Sequence, residues 1–426
     1  MDKHVLKQIL RDNQIEVERY VVEPRDINLS NFPCHVLVGV RRAGKSYMLY
    51  HRMQQLLADG HRWDEMLYIN FEDERLEGFT ASDFNLLLEC HLEMYGKRPM
   101  LFLDEVQNID GWHKFARRMA DTNHTIYITG SNAKMLSGEI NTTLGGRFLT
   151  TEVYPYSFGE YLAAHRVPTD EANMTSTEGR ASIVRHFNNY LHHGGLPATA
   201  LMPAKRDYIS SIYQKIYLGD IIQRNNVANA AGIRVLVRKM AESVCRPISY
   251  NRINNLLSSV GGKLSLATTI KYVSHCEDAW LLLRLKNYAA ALADKESNCK
   301  YYFIDPGILN LFLIDGETML LENLVALHLF RTYGHDMATE RVYFYHDRHE
   351  VDFYIPEHEL AIQVCHSLRE EQTLQREVAA LSKLPNRLAC RRRLILTHDE
   401  TDTITDAHGT IEVMPAWRWV LEERAK

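Results

Sequence analysis

The chain has 426 residues, more than one ordinary hydrophobic core holds, and its length points to two or three domains. Hydrophobic residues make up 46% and charged residues 24%, and 49 Lys and Arg against 54 Asp and Glu leave a net charge of -5. This excludes a polycation, so any contact with nucleic acid needs a local basic patch. The cysteines at 34, 90, 245, 276, 299, 365 and 390 show no CxxC pair, which reads as reduced thiols in a cytoplasmic protein rather than a disulfide scaffold or zinc site. The start MDKHVLKQILRDNQ has no signal-peptide core, and no stretch reaches the length of a membrane span.

In chain order, residues 3–23 read as an amphipathic helix, with Val5, Ile9, Ile15 and Val17 among charges. Apolar runs at 35–40, 66–71, 100–106 and 125–131 read as strands, and 45–58, 80–95 and 110–121 as helices between them. Strands buried on both faces and alternating with helices predict a parallel sheet covered on both sides. A polar stretch at 174–180 precedes a helical pattern ending near Tyr190, and HHGGLP at 192–197 is a turn cluster, so a domain boundary is placed near 200. Residues 205–225 form a helical connector. Helices at 232–243, 249–258 and 265–274, followed by AWLLLRLKNY and KYYFID, give three short helices and a two-stranded ribbon, a winged-helix pattern. Beyond 318 come a helix carrying ENLVALHLFRTYG, strands VYFYH, EVDFYI and LAIQV, a helix near 369–382 and a last strand, RRRLILTH. The divisions read from this are 1–200, 201–300 and 301–426.

GVRRAGKS, Gly39 to Ser46, follows an apolar strand and opens a helix, the context of a phosphate-binding loop. Gly39 and Gly44 let backbone N–H groups close around phosphates; Arg41, Arg42 and Ala43 lie between them, and Tyr47 follows in the first helical turn. Lys45 supplies charge for the β- and γ-phosphates and Ser46 a hydroxyl for Mg²⁺, so ATP and Mg²⁺ are the expected ligands. Asp104 and Glu105 end the strand MLFL, where burial is costly unless a cation or donor meets them. Asp104 is the candidate to hold the metal's water shell, and Glu105 to orient or deprotonate the attacking water. Ser131 and Asn132 end the strand TIYITG, where Asn132 is a candidate for the γ-phosphate and equally a turn residue. Arg147, beside two glycines, is a candidate for transition-state charge and equally a surface salt-bridge residue. Arg41 and Arg42 are open between phosphate and solvent.

GVRRAGKS, LFLDEVQ, TGSN and GGRFLTTEVYPYSFGEYL, with YLHHGGLP, YYFIDPGILN, the pair EN at 322–323 and EVDFYI...LAIQVC, resemble the prokaryotic AAA-type ATPases that carry a C-terminal region of uncharacterised function. The resemblance spans nearly the whole chain. It implies a P-loop fold, then a winged helix, then a region similar to restriction endonucleases. It matches Lys45 and Ser46 to Walker A, Asp104 and Glu105 to Walker B, Asn132 to the sensor region and Arg147 to the arginine of the GGR motif, without settling whether that arginine is a finger or a fold element.

The third helix of the middle part offers Thr268, Thr269, Lys271 and His275, with Arg246, Arg252 and Lys263 nearby. That supports weak DNA contact or a protein-facing module. In the C-terminal part, Glu322 is the helix acid of a nuclease-like set, Asp352 the strand acid and Gln363 the next ligand, but Cys365 stands where a lysine is needed. A neutral thiol cannot replace an ammonium, so the fold is expected and cleavage is not. An arginine from 391–393 reaching this site would restore the charge. His346 and His349 lie in a turn that does not align them as metal ligands. The reading that follows is an ATP-binding and ATP-hydrolysing switch whose C-terminal half recognises a protein partner. The alternatives are a DNA-binding ATPase coupled to a nuclease or translocator, and a nucleotide-binding scaffold with negligible turnover. Assembly as a homo-oligomer is left open.

Overall fold

A computed structural model describes residues 1–27, 29–30, 32–133, 142–200, 202–261, 264–334 and 340–423. Contacts divide the chain into two compact units, Met1–Tyr154 and Pro155–Lys426. Lys263, considered above for nucleic-acid contact, lies outside the described residues.

The first unit is built on five strands: β1 (Cys34–Val38), β2 (Met66–Asn70), β3 (Met100–Asp104), β4 (Ile126–Gly130) and β5 (Leu149–Glu152). Their order is β2-β3-β4-β1-β5 and every pairing is parallel. β1 and β4 are buried throughout, because both faces are covered by helices, and their sequences are correspondingly apolar runs rather than alternating ones. The register pairs Val38 with Gly130 and Leu103 with Ile128, so Gly39, Asp104 and Ser131 emerge at one edge of the sheet. The expected N-terminal helix is present over Lys3–Arg19, capped by Asp2, and ends before the 20–23 stretch. β5 adds an edge strand beside β1.

The second unit holds two sheets. β6 (Ile248–Ser249), β7 (Leu282–Leu285) and β8 (Asn298–Phe303) form a three-stranded antiparallel sheet in the order β6-β8-β7, beside helices at Ala230–Glu242, Tyr250–Gly261 and Leu266–Asp278. β9 (Tyr343–His346), β10 (Glu350–Ile355), β11 (Leu360–Val364), β12 (Arg392–Thr397), β13 (Asp402–Asp406) and β14 (Gly409–Pro415) form a mixed sheet in the order β13-β14-β12-β11-β10-β9. β13 and β14 are additions to the sequence reading. β13 is Thr- and Asp-rich and mostly exposed, so it lacks the apolar run that marks β12.

The polar 174–180 stretch lies where two helices meet. Ser176 caps a helix over Thr177–His193 by accepting from Gly179 N, and a short helix, Glu171–Thr175, ends just before it. Ser and Thr before a helix are capping residues, which is why the stretch is polar. The HHGGLP turn is fixed by another segment: Asp305 Oδ2 accepts from Gly195 N at 2.7 Å, and its Oδ1 accepts from Gly307 N and Ile308 N. A Cβ on Gly194, which has φ +73°, would fall 1.9 Å from Asp305 Oδ1. The two motifs HHGGLP and FIDPG therefore make one joint. Asp305 is fully buried there, and burial lifts its carboxyl to about 6 despite three backbone donors.

Candidate functional site: the phosphate loop and a filled carboxylate cluster

The loop from Gly39 to Gly44 joins β1 to a helix over Lys45–Ala58. Gly44 adopts φ +100° where the helix begins, and Arg42 takes φ +66°. A Cβ on Gly39 would lie 2.1 Å from the carbonyl oxygen of Val153, so only glycine lets the neighbouring chain pass this close. Lys45 is 4% exposed, and its ammonium donates to Gly39 O and Val40 O, each at 3.1 Å, spanning the mouth of the loop. Its Nζ is 3.7 Å from Glu105 Oε1. Arg41 pairs with Glu72 at 2.5 Å, whereas Ala43 turns inward and its carbonyl accepts from Arg25 at 2.9 Å. Arg25 also donates to Tyr154 O at 2.9 Å, so one guanidinium ties the loop to the segment after β5. Nothing in the sequence marked Arg25, because backbone carbonyls such as Ala43 O and Tyr154 O leave no side-chain signature.

Asp104 ends β3 fully buried. It is surrounded by hydroxyls: Thr129 and Tyr68 donate to it, Tyr68 at 3.0 Å, and Ser46 hydrogen-bonds it as well. Burial and the neighbouring Glu105 charge push its carboxyl up to about 6, against those donors. Glu105 sits in the left-handed region at φ +52°. Its N–H donates to Thr129 Oγ1 at 2.9 Å, and Gln107 donates to its carboxylate at 2.5 Å. Burial opposes its charge, but Lys45, Gln107, Arg41 and Ser131 outweigh burial and hold Glu105 below its ordinary value. The two adjacent carboxylates are thus driven in opposite directions, Asp104 toward a held proton and Glu105 toward the anion. Ser131 is buried and accepts from Gln107 at 3.2 Å, and Asn132 is half-buried beside it.

Lys45, Ser46, Asp104 and Glu105 are therefore brought together. Tyr47 is 45% exposed on the first turn of the following helix. Arg147 is placed elsewhere. It precedes β5 by two residues, and β5 runs parallel to β1 with Leu149 opposite His35, so Arg147 lies toward the start of the strands. The loop lies at their ends, roughly five residues or about 16 Å further along at the usual strand rise. Arg147 there pairs with Asp121 at 2.5 Å.

The second cluster lies in the Pro155–Lys426 unit. β10 and β11 are antiparallel with Phe353 opposite Ile362, which sets Asp352 beside Gln363. Gln363 Oε1 accepts from Asp352 N at 2.7 Å and its Nε2 donates to Glu377 at 2.6 Å; Asp352 Oδ2 accepts from Val364 N at 3.0 Å. The centre is filled by Lys300 of β8. Its Nζ lies 2.8 Å from Glu350, 3.0 Å from Asp352 and 3.3 Å from Glu322, with its side chain fully buried. Burial alone would lower this ammonium, but the surrounding carboxylates hold it well above its ordinary value. Tyr302 donates to Glu322 at 2.7 Å, and burial with the Asp352 charge lifts Glu322 to about 7. Cys365 lies apart, in an apolar cluster with Tyr345, Val351 and Leu381. Burial drives its thiol to about 12. The cation comes from β8, not from residues 391–393: Arg392 pairs with Glu412 and Glu423, and Arg393 with Asp406. Among the described residues, no group of three or more His, Cys, Asp or Glu is arranged to hold a metal ion.

In the middle part, Lys271, Arg246 and Arg252 are exposed, whereas Thr269 is fully buried and donates to Asn254 at 2.8 Å. Leu266 and Ile270, each 39% exposed, share the helix with Lys271. Among the described residues no helix is long and apolar enough to cross a membrane.

The parallel sheet, the glycine-bounded loop and the buried acid pair define an AAA-type P-loop ATPase domain. Residues 31–162 match the family described as AAA domain (AAA_14), and residues 184–318 match a domain of unknown function (DUF8612). The chain is 33% identical over 436 residues to the uncharacterized protein MJ1544 of Methanocaldococcus jannaschii, covering 99% of this chain and 96% of that protein. It belongs to the same family as that protein. An uncharacterized protein of Haemophilus influenzae is 29% identical over 326 residues, 75% of this chain and 78% of its own. Among solved structures, the Walker-type ATPase PABY2304 of Pyrococcus abyssi is similar at 14% identity and a TM-score of 0.40, covering 74% of this chain and 96% of that one.

Proposed function

We propose that the protein is an ATP-hydrolysing switch whose C-terminal half recognises a protein partner. The observation that carries this is the buried Lys45, held by loop carbonyls 3.7 Å from Glu105. An ammonium already desolvated between carbonyls exchanges those partners for phosphate oxygens without a further dehydration cost. Gly39, Gly44 and the N–H groups around Ala43 would cradle the phosphates. Ser46 and Asp104 are the pair that would hold Mg²⁺, because they are hydrogen-bonded to each other and the Thr129 and Tyr68 hydroxyls fix the Asp104 carboxyl in place. Bound Mg²⁺ supplies charge neutralisation between phosphate oxygens. Glu105, kept anionic, would accept the proton of the attacking water, with Gln107 and Ser131 fixing its direction and Asn132 facing the γ-phosphate. Arg147 would serve a neighbouring copy rather than its own loop, since it lies toward the opposite end of the strands.

The division at 200 and 300 is kept as a functional one, with a winged helix over 201–300 and a restriction-endonuclease-like region over 301–426. Exposed Leu266 and Ile270 beside a single lysine favour a protein-facing helix over a DNA-reading one. Lys300 fills the place between Glu322 and Asp352 that a nuclease would give to metal, which favours an inert site. The competing reading, a DNA-binding ATPase coupled to cleavage or translocation, is tested by incubating labelled duplex and single-stranded DNA with the protein, ATP and Mn²⁺. Cleavage abolished by Asp352→Ala would support it over ours. ADP release measured with and without Mg²⁺ tests the ATPase reading itself, and no turnover above a Lys45→Ala control would contradict it.

A further inference from the structure

Four tyrosines connect the solvent beside the phosphate loop to Asp104. Tyr20 follows the N-terminal helix and stacks on Tyr50, with ring centroids 4.9 Å apart and planes 2° from parallel. Tyr47 tilts against both, at 5.3 Å from each centroid. Tyr20 is 37% and Tyr47 45% exposed, so two large rings face solvent next to the residues that would hold the phosphates. The stretch carrying Tyr20 is held in place: Gln54 donates to Val17 O at 3.2 Å and to Tyr20 O at 3.0 Å, and Arg25 grips Ala43 O at 2.9 Å. Inward of this group the hydroxyls of Tyr50 and Tyr68 share a hydrogen bond of 3.0 Å, and Tyr68 donates to Asp104 at 3.0 Å. Burying two phenols in a row is justified only if each hydroxyl is satisfied, and here each is, in a line that ends on the acid of β3.

We propose that Tyr20, backed by Tyr50, is the platform on which a nucleobase stacks, with Tyr47 set at 58° to it as a side wall, and that Tyr50 and Tyr68 link this platform to Asp104. A flat, neutral aromatic face recognises the π-face of a base and nothing of a bare polyphosphate. Because Tyr50 both backs Tyr20 and bonds Tyr68, a base pressing on the platform restrains the ring whose hydroxyl orients the donor to Asp104. Base stacking and metal-assisted phosphate binding are therefore coupled rather than independent. Tyr50 and Tyr68 are positioning residues; neither touches the nucleotide. This rests on the nucleotide-binding reading above and goes beyond it in assigning the base subsite and its link to the acid.

The test compares ATP with inorganic tripolyphosphate, both with Mg²⁺, by calorimetry on the full chain. Tyr47→Ala and Tyr20→Ala should each weaken ATP binding about tenfold and tripolyphosphate binding less than twofold, with thermal melts confirming the fold. Tyr68→Phe keeps the ring and removes the bridge. In a double-mutant cycle with Tyr47→Ala, the two losses for ATP should fall short of additive by about threefold or more, and the shortfall should vanish for tripolyphosphate. Equal losses for the two ligands, or none for ATP, would overturn the platform. Strict additivity for ATP would overturn the link. Wild-type protein that binds neither ligand would defeat the nucleotide reading itself, a result distinct from ATP and tripolyphosphate binding equally well.

Discussion

Lys300 Nζ stands 3.0 Å from Asp352 Oδ1, and this ion pair joins the three-stranded sheet to the six-stranded one. The same ammonium reaches Glu322 and Glu350, so one side chain faces three carboxylates, one on the helix Glu317–Tyr333 and two on β10. Removing it leaves buried carboxylates facing one another. Lys300→Met should cost about 3–5 kcal/mol, the usual range for breaking a buried pair from one side. Urea denaturation reads this directly; a loss under about 1 kcal/mol would show that the cluster relaxes into water.

Glu322 gives the cluster a pH signature. Its folded value, about 7, lies above the ordinary 4.5, so the folded state holds the proton more tightly than the unfolded chain. Stability from this group is full below about 4.5 and is lost as pH rises to about 7. Glu322→Gln mimics the protonated form and keeps an acceptor for Tyr302. It should cost less than about 1.5 kcal/mol at pH 5 and flatten the decline expected of the wild type between pH 5 and 8. An unchanged slope in the variant would assign the pH dependence to other groups.

Gly39 makes a purely steric prediction. A methyl group there meets the Val153 carbonyl at 2.1 Å, and backbone on both sides cannot yield as a side-chain tip would. Gly39→Ala should destabilise the first unit by about 2 kcal/mol or more and weaken nucleotide binding, read by thermal melting with and without ATP. Gly60→Ala, at φ +97° with open space around its Cβ, is the control for backbone strain alone.

Arg147 separates assembly from single-chain catalysis. Its place toward the start of β5, paired with Asp121, keeps it from the loop of its own chain. If it acts on a neighbour, specific ATPase activity rises with protein concentration. Mixing Arg147→Ala with Lys45→Ala then restores activity at interfaces that pair an intact loop with an intact arginine. Concentration-independent turnover, with no recovery on mixing, would reduce Arg147 to a partner of Asp121.

The first unit was legible in the sequence wherever chemistry is local. The strand, glycine loop and helix around Lys45, and the apolar run ending at Asp104, announce themselves by pattern. Thr129, Tyr68 and Arg25 did not, because their roles depend on which strands become neighbours, and no spacing along the chain records that β3 lies beside β4. The same holds for Lys300, 52 residues before Asp352. The sequence showed that Cys365 leaves the cluster without its cation, and only the packing of β8 reveals where the cation comes from. β13 escaped because an exposed Thr-rich edge strand carries no hydrophobic period.

The central claim is that Lys45, Asp104 and Glu105 form one working site, and turnover separated from binding tests it most directly. ATP affinity and ADP formation should be measured with Mg²⁺ for the wild type, Lys45→Ala and Glu105→Gln. The account predicts weakened binding for Lys45→Ala, and for Glu105→Gln near-normal binding with turnover lowered about 10²-fold or more, the loss expected when a general base is removed. Wild-type turnover in Glu105→Gln, or unaltered ATP affinity in Lys45→Ala, would contradict it.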